Sequence, residues 1–151
     1  MKLSVTRSVR AGWLPPAREL RGWAAAALGR RAGALELSVL LAGRARSRAL
    51  NARYRGRDHA TNVLSFPATP SAVAQAGLLG ELVICPAVLR DEARAHWAHM
   101  VVHGVLHLVG YDHELPDEAR RMERREIRTL RRLGIANPYR SVPARTRRTE
   151  H

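Results

Sequence analysis

The chain has 151 residues, 46% of them hydrophobic, which suits one folded domain with a modest core and excludes a wholly disordered polymer. Its 26 Lys and Arg against 13 Asp and Glu give a formal charge of +13, an excess that favours polyanionic partners such as RNA, DNA, a ribosome or an anionic membrane. No apolar run reaches the ~18 residues of a membrane span, MKLSVTRSVR lacks the apolar core of a secretory signal, and the single Cys85 excludes an internal disulfide, so a cytoplasmic protein is expected.

Residues 2–9, KLSVTRSV, alternate and carry β-branched side chains, the pattern of an edge strand. Pro15 and Pro16 open a helix to about Leu28, with Leu20, Trp23, Ala27 and Leu28 on its buried side. LELSVLLAG, 35–43, reads as a central strand. SRALNARYRG, 47–56, reads as a short helix capped by Ser47 and stopped by Gly56. TNVLSFP, 61–67, is a strand ended by Pro67, and ATPSAVAQAG, 68–77, a loop of small residues. LGELVIC, 79–85, is a fourth strand, closed by Pro86. From about Ala87 to Val109 the pattern is helical. A charged helix follows over 117–134, with Met122, Ile127, Leu130 and Leu133 as its apolar stripe. Asp117 and Glu118 at its start and arginines at its end suit the macrodipole, and its exposed arginines read as a solvated face.

The tail SVPARTRRTEH, residues 141–151, is polar and basic, and disorder is expected there. No repeat or internal linker divides residues 1–140, so a single domain is expected. Mixed strands and helices with short connections predict an α+β fold: a small four-stranded mixed sheet packed with helices, its metal site on a central histidine-bearing helix. Lys2 is the one lysine, so 25 of the cations are arginine, a ratio that a GC-rich coding sequence explains.

The histidine helix carries the chemistry. At about 100° per residue, His96, His99, His103 and His107 share one stripe with Met100 and Gly110, while apolar residues fill the rest of the circumference. His103 and His107 stand one turn apart, about 6 Å along the axis, so their rings can meet on one ion. Gly110 can end the helix in a left-handed turn and let the chain bring His113 back to the same ion. Three neutral imidazoles with no fourth protein ligand leave a position open for water, which points to hydrolysis rather than a structural site. Imidazole suits nickel, copper and iron as well as zinc. The same H-x3-H-x2-G-x2-H spacing occurs in metzincin peptidases, where a glutamate follows the first histidine as general base. Here Gly104 stands in that place and would leave space beside the metal, so peptidase chemistry is the weaker reading.

Other residues admit two roles. Asp112 suits either the orientation of a ligand imidazole or the capping of the next turn. Asn62 and Ser65 suit either RNA contact or strand-end hydrogen bonding. His96 and His99 are expected to bond within the helix packing, Trp97 to lie in the core, and Cys85 to be a buried small hydrophobe rather than a fourth ligand.

AHWAHMVVHGVLHLVGYDH, with TNVLSFP, LGELVIC, LNARYRGRDHATNVLSFP at 50–67 and LGIANPY at 133–139, closely resembles the YbeY family of bacterial metal-dependent endoribonucleases. The likeness covers nearly the whole domain, and the H-G-x-L-H-L-x-G-Y-D-H string is far more specific than the histidine spacing alone. The resemblance implies cleavage of single-stranded RNA, maturation of the 3′ end of small-subunit (16S) ribosomal RNA, and ribosome quality control. It implies one zinc ion on His103, His107 and His113, and a catalytic role for Arg55 in the YRG segment. The partners it implies are precursor ribosomal RNA and the ribosome or its small subunit, with neither membrane nor DNA expected. A non-catalytic ribosome-assembly factor is the alternative. Two departures from the family pattern stand out: a shorter segment between the fourth strand and the histidine helix, and Glu81 where Asp is common.

Overall fold

The computed structural model describes residues 1–57, 59–90 and 92–140. The expected tail at 141–151 lies outside them. Four strands form one mixed sheet: β1 (Lys2–Arg7), β2 (Glu36–Leu41), β3 (Val63–Pro67) and β4 (Leu78–Ile84), in the order β1-β2-β4-β3. The first three in that order run parallel, and β3 closes the far edge antiparallel to β4. Among the described residues five α-helices complete the α+β fold: α1 (Ala17–Leu28), α2 (Arg44–Arg55), α3 (Pro70–Ala76), α4 (Arg94–Leu108) and α5 (Pro116–Arg132).

Side-chain alternation decides which face of the sheet meets which helix. In β2, Leu37, Val39 and Leu41 point to the large core shared with α1, α4 and α5, while Leu40 turns to a smaller cluster on the other face with Leu64, Val83 and Leu50 of α2. In β4, Leu82 and Ile84 join the first set and Val83 the second. The histidine helix α4 is thus wedged between the sheet and two other helices. Ten of its residues are buried, including Trp97.

The structure departs from the sequence expectations at three boundaries. The segment 68–77 holds the helix α3, started by the Thr69 hydroxyl accepting from the Ala72 N–H at 3.1 Å, with Pro70 as its first residue. It buries none of its side chains, so no apolar period betrays it. Helix α2 starts at Arg44, with Gly43 rather than Ser47 at its cap. Ser47 sits inside the helix, and its hydroxyl donates to the Thr61 carbonyl at 3.1 Å and accepts the Thr61 N–H at 3.0 Å. Helix α4 starts at Arg94, because Pro86 opens a separate 3-10 turn over Pro86–Leu89 whose Pro86 and Leu89 are buried.

Gly104 answers to packing rather than to the cleft. A Cβ there would stand 2.8 Å from Leu82 Cδ2 and 3.3 Å from both Ser65 Oγ and Val63 Cγ2. The missing side chain lets α4 approach β3 and β4, and Ser65 seals the approach by donating to the Gly104 carbonyl at 3.0 Å. The room expected beside the metal is therefore filled by the sheet. Gly104→Ala is expected to lower the urea midpoint. Leu82 is fully buried and has nowhere to move, so overpacking of about 1–3 kcal/mol outweighs the ~1 kcal/mol of helix propensity that alanine adds. An unchanged or raised midpoint would contradict this packing role.

Candidate metal centre

The centre begins with the way α4 ends. Gly110 takes φ +104°, and the Tyr111 N–H donates to the Leu106 carbonyl at 3.0 Å while the Gly110 N–H donates to the His107 carbonyl at 3.1 Å. These are the paired bonds of a left-handed glycine cap. The turn has two consequences. It carries His113 back alongside the last turn of α4, and it aims the Tyr111 carbonyl at the His107 ring, whose Nδ1–H donates to it at 3.0 Å. The Asp112 carboxylate accepts the His113 N–H at 2.7 Å, a bond to the backbone that follows it rather than to an imidazole.

His103 is oriented from the other side. Its Nδ1–H donates to Glu126 Oε2 at 2.8 Å. With both Nδ1 hydrogens engaged, the Nε2 lone pairs of His103 and His107 face one another 3.1 Å apart. That separation is close to the ~3.3 Å edge of a tetrahedron with bonds of about 2.05 Å. The His113 ring completes the group, its centroid 4.8 Å from that of His107 and 5.4 Å from that of His103. One ligand atom from each of the three lies within 4.8 Å of the others, so the trio could hold a metal ion. Burial lowers the pKa of His107 first, and the neighbouring His103 and His113 lower it further against the opposing Tyr111 bond. The ring therefore stays neutral, as a ligand must.

Glu126 is the residue that sequence reasoning missed. It is completely buried on α5 and collects three donors: His103, His99 Nε2–H at 3.0 Å, and the Tyr139 hydroxyl at 2.6 Å. Burial alone would raise its pKa, but the bonds from His103, His99 and Tyr139 outweigh burial and hold the carboxyl at about 2. Burial, then the Glu126 carboxylate, push the Tyr139 phenol up. Tyr139 reaches the site because Gly134 ends α5 with the same turn that ends α4, Ile135 N–H donating to the Leu130 carbonyl at 2.8 Å. A signal was present: Met122, Glu126 and Leu130 stand at i, i+4, i+8, so an acid occupies the buried stripe. His99 bonds within the packing as expected and does not join the trio.

The trio opens into a cleft of about 780 Å³ whose opposite wall is the end of α2 and β3. Ser47, Asn51 and Arg55 lie at i, i+4, i+8 on α2 and fasten it to β3 and to the segment that leads into it. Asn51 donates to the His59 carbonyl at 2.9 Å, and Arg55 donates to the Ser65 carbonyl at 3.2 Å. Arg55 and Arg57 line the cleft with the three histidines, whereas Cys85 is buried and takes no part in the group. Asn62 makes strand-end bonds, donating to Met100 Sδ and accepting the Val63 N–H.

Fold and cleft together define a class: an α+β protein whose three-histidine cluster, backed by a buried carboxylate, stands open to substrate. The model of the family described as Endoribonuclease YbeY matches residues 17–134. Endoribonuclease YbeY of Alkalilimnicola ehrlichii is 52% identical over 142 residues, covering 87% of this chain and 85% of that protein. The solution structure of TM1509 from Thermotoga maritima shares the fold at a TM-score of 0.52 and 21% identity, covering 92% of this chain and 99% of that one. The chain belongs to the YbeY endoribonuclease family.

Proposed function

We propose that this chain is a zinc-dependent endoribonuclease that cuts single-stranded RNA, its domain spanning residues 1–140. Its substrate is the precursor of small-subunit ribosomal RNA, matured at the 3′ end, and its setting is the cytoplasmic ribosome or small subunit, including ribosome quality control. Family membership supports the activity. The observation that carries the reading is the convergence of His103, His107 and His113 in the cleft that Arg55 enters.

A zinc ion on the three imidazoles would supply Lewis acidity toward a phosphodiester oxygen or a water. The protein does the rest. His103 and His107 are fixed as acceptors by the Nδ1 bonds to Glu126 and Tyr111. Arg55, anchored to Ser65, presents a planar guanidinium whose fork matches the phosphate and stabilises charge developing on it. Arg57 adds positive charge to the same wall. No carboxylate follows His103, and the sheet behind Gly104 leaves a glutamate no room there, so the peptidase arrangement is not available.

Stripping the protein with a chelator is expected to abolish cleavage of single-stranded RNA, and zinc to restore it, with casein untouched throughout. Cleavage that persists in protein shown by metal analysis to be bare would overturn the reading. Arg55→Ala is expected to lower kcat about 10²–10³-fold with metal content unchanged. A wild-type rate would remove Arg55 from the chemistry.

A further inference from the structure

Helix α5 presents a second basic surface outside the cleft. Arg120, Arg121, Arg124, Arg128, Arg131 and Arg132 are all exposed. At about 100° per residue they fall within an arc of roughly 120°, opposite the buried Met122, Glu126, Thr129 and Leu130. They run about 18 Å along the helix axis. One acid, Asp117, shares the arc, and it is taken by Arg120. The side chains of the other five arginines make no ion pair or hydrogen bond among the described residues. A solvated face normally intersperses both signs. Here the acids have been sorted away: Glu126 is buried and Glu123 lies off the arc.

We infer that this arginine face of α5 docks the phosphate backbone of a double-helical RNA segment flanking the strand that enters the cleft. The inference rests on the nuclease reading for its biological setting, not for its physics. Three observations choose the occupant. The face carries no aromatic side chain, so it offers no platform for the unstacked bases of a single strand, whereas duplex RNA is recognised by shape and phosphate contacts. The apolar side of α5 is committed to the core, with Met122 and Leu130 buried, so the helix has no hydrophobic face to insert into an anionic membrane. The face also starts close to the site: α5 begins at Pro116, three residues after His113 of the cleft, so the Arg120 end of the face lies near the cleft mouth while the rest runs away from it on the side of the helix turned from Glu126.

The test is the salt dependence of binding to a blunt RNA duplex with no single-stranded segment, read by fluorescence anisotropy on full-length, metal-loaded protein. Replacing Arg121, Arg124, Arg128 and Arg131 with Gln is expected to raise Kd and to flatten the slope of log K against log salt by about 0.9 for each phosphate no longer neutralised. The same four positions changed to Lys keep the charge and are expected to keep the slope. Changing Arg7, Arg10, Arg18 and Arg21 to Gln removes the same net charge elsewhere and is expected to leave the slope near wild type. An unchanged slope in the α5 variant, or an equal flattening in the control variant, overturns the inference. So does an equal weakening on an unstructured single strand, or wild-type binding to phosphatidylserine vesicles that the α5 variant abolishes. Because the duplex probe has no single-stranded segment to cut, and the single-strand arm is read on an unstructured DNA oligonucleotide, this result stands apart from failure of the nuclease reading, which the chelation experiment addresses.

Discussion

His103→Ala is expected to abolish metal binding and RNA cleavage and, in addition, to destabilise the metal-free protein by about 1–3 kcal/mol. His113→Ala is expected to abolish the first two and leave metal-free stability near wild type. The asymmetry follows from what each ring does when no ion is present. His103 is half-buried and gives its Nδ1–H to Glu126, whose carboxylate has no access to water and depends on its three donors. Removing one leaves a buried charge short of a partner, the costly side of the hydrogen-bond balance. His113 is exposed, and its ring makes no hydrogen bond among the described residues. Zinc titration by calorimetry and urea denaturation of the stripped proteins measure both quantities. Equal destabilisation by the two substitutions would remove Glu126 from the design of the centre, and zinc bound at wild-type affinity by His113→Ala would remove His113 from it.

The same asymmetry separates what the sequence makes legible from what it hides. The trio is local. Two of its histidines stand one helical turn apart and the third follows a glycine turn, so spacing alone brings the rings together, and the structure does so by the turn that Gly110 predicts. The strands are legible because β2 and β4 alternate between two apolar faces. The support of the site is not local. Glu126 is 23 residues from His103, and the helix that carries it is so rich in charge that one more acid passes as surface. Its place between Met122 and Leu130 marks it as buried only once α5 is known to pack on α4. Gly104 misleads for a related reason. A helical wheel shows that it borders the histidines, but not that the sheet lies closer to it than the cleft does. Ser47 resembles a cap because caps and buried helix–strand bonds use the same hydroxyl, and only the position of Thr61 separates the two.

Substitution at Glu126 separates the carboxylate's shape from its charge. Glu126→Gln keeps one acceptor oxygen for His99 and His103 and turns an amide toward Tyr139, whose hydroxyl can accept instead of donate. The His103 ring then stays in place but loses the negative charge behind it, and zinc affinity is expected to fall about 10–100-fold. Glu126→Leu orphans all three donors and is expected to cost the metal-free fold about 3 kcal/mol or more as well. Acid stability provides the independent readout. The metal-free wild type holds this carboxyl at about 2, below its ordinary 4.5, so the ionised form stabilises the fold above pH ~4.5. That contribution is lost as pH falls from there toward about 2. The stability gap between wild type and Glu126→Gln should therefore narrow across that window. A gap that stays constant through it, together with unchanged zinc affinity, would show that Glu126 fills space behind His103 without acting on it.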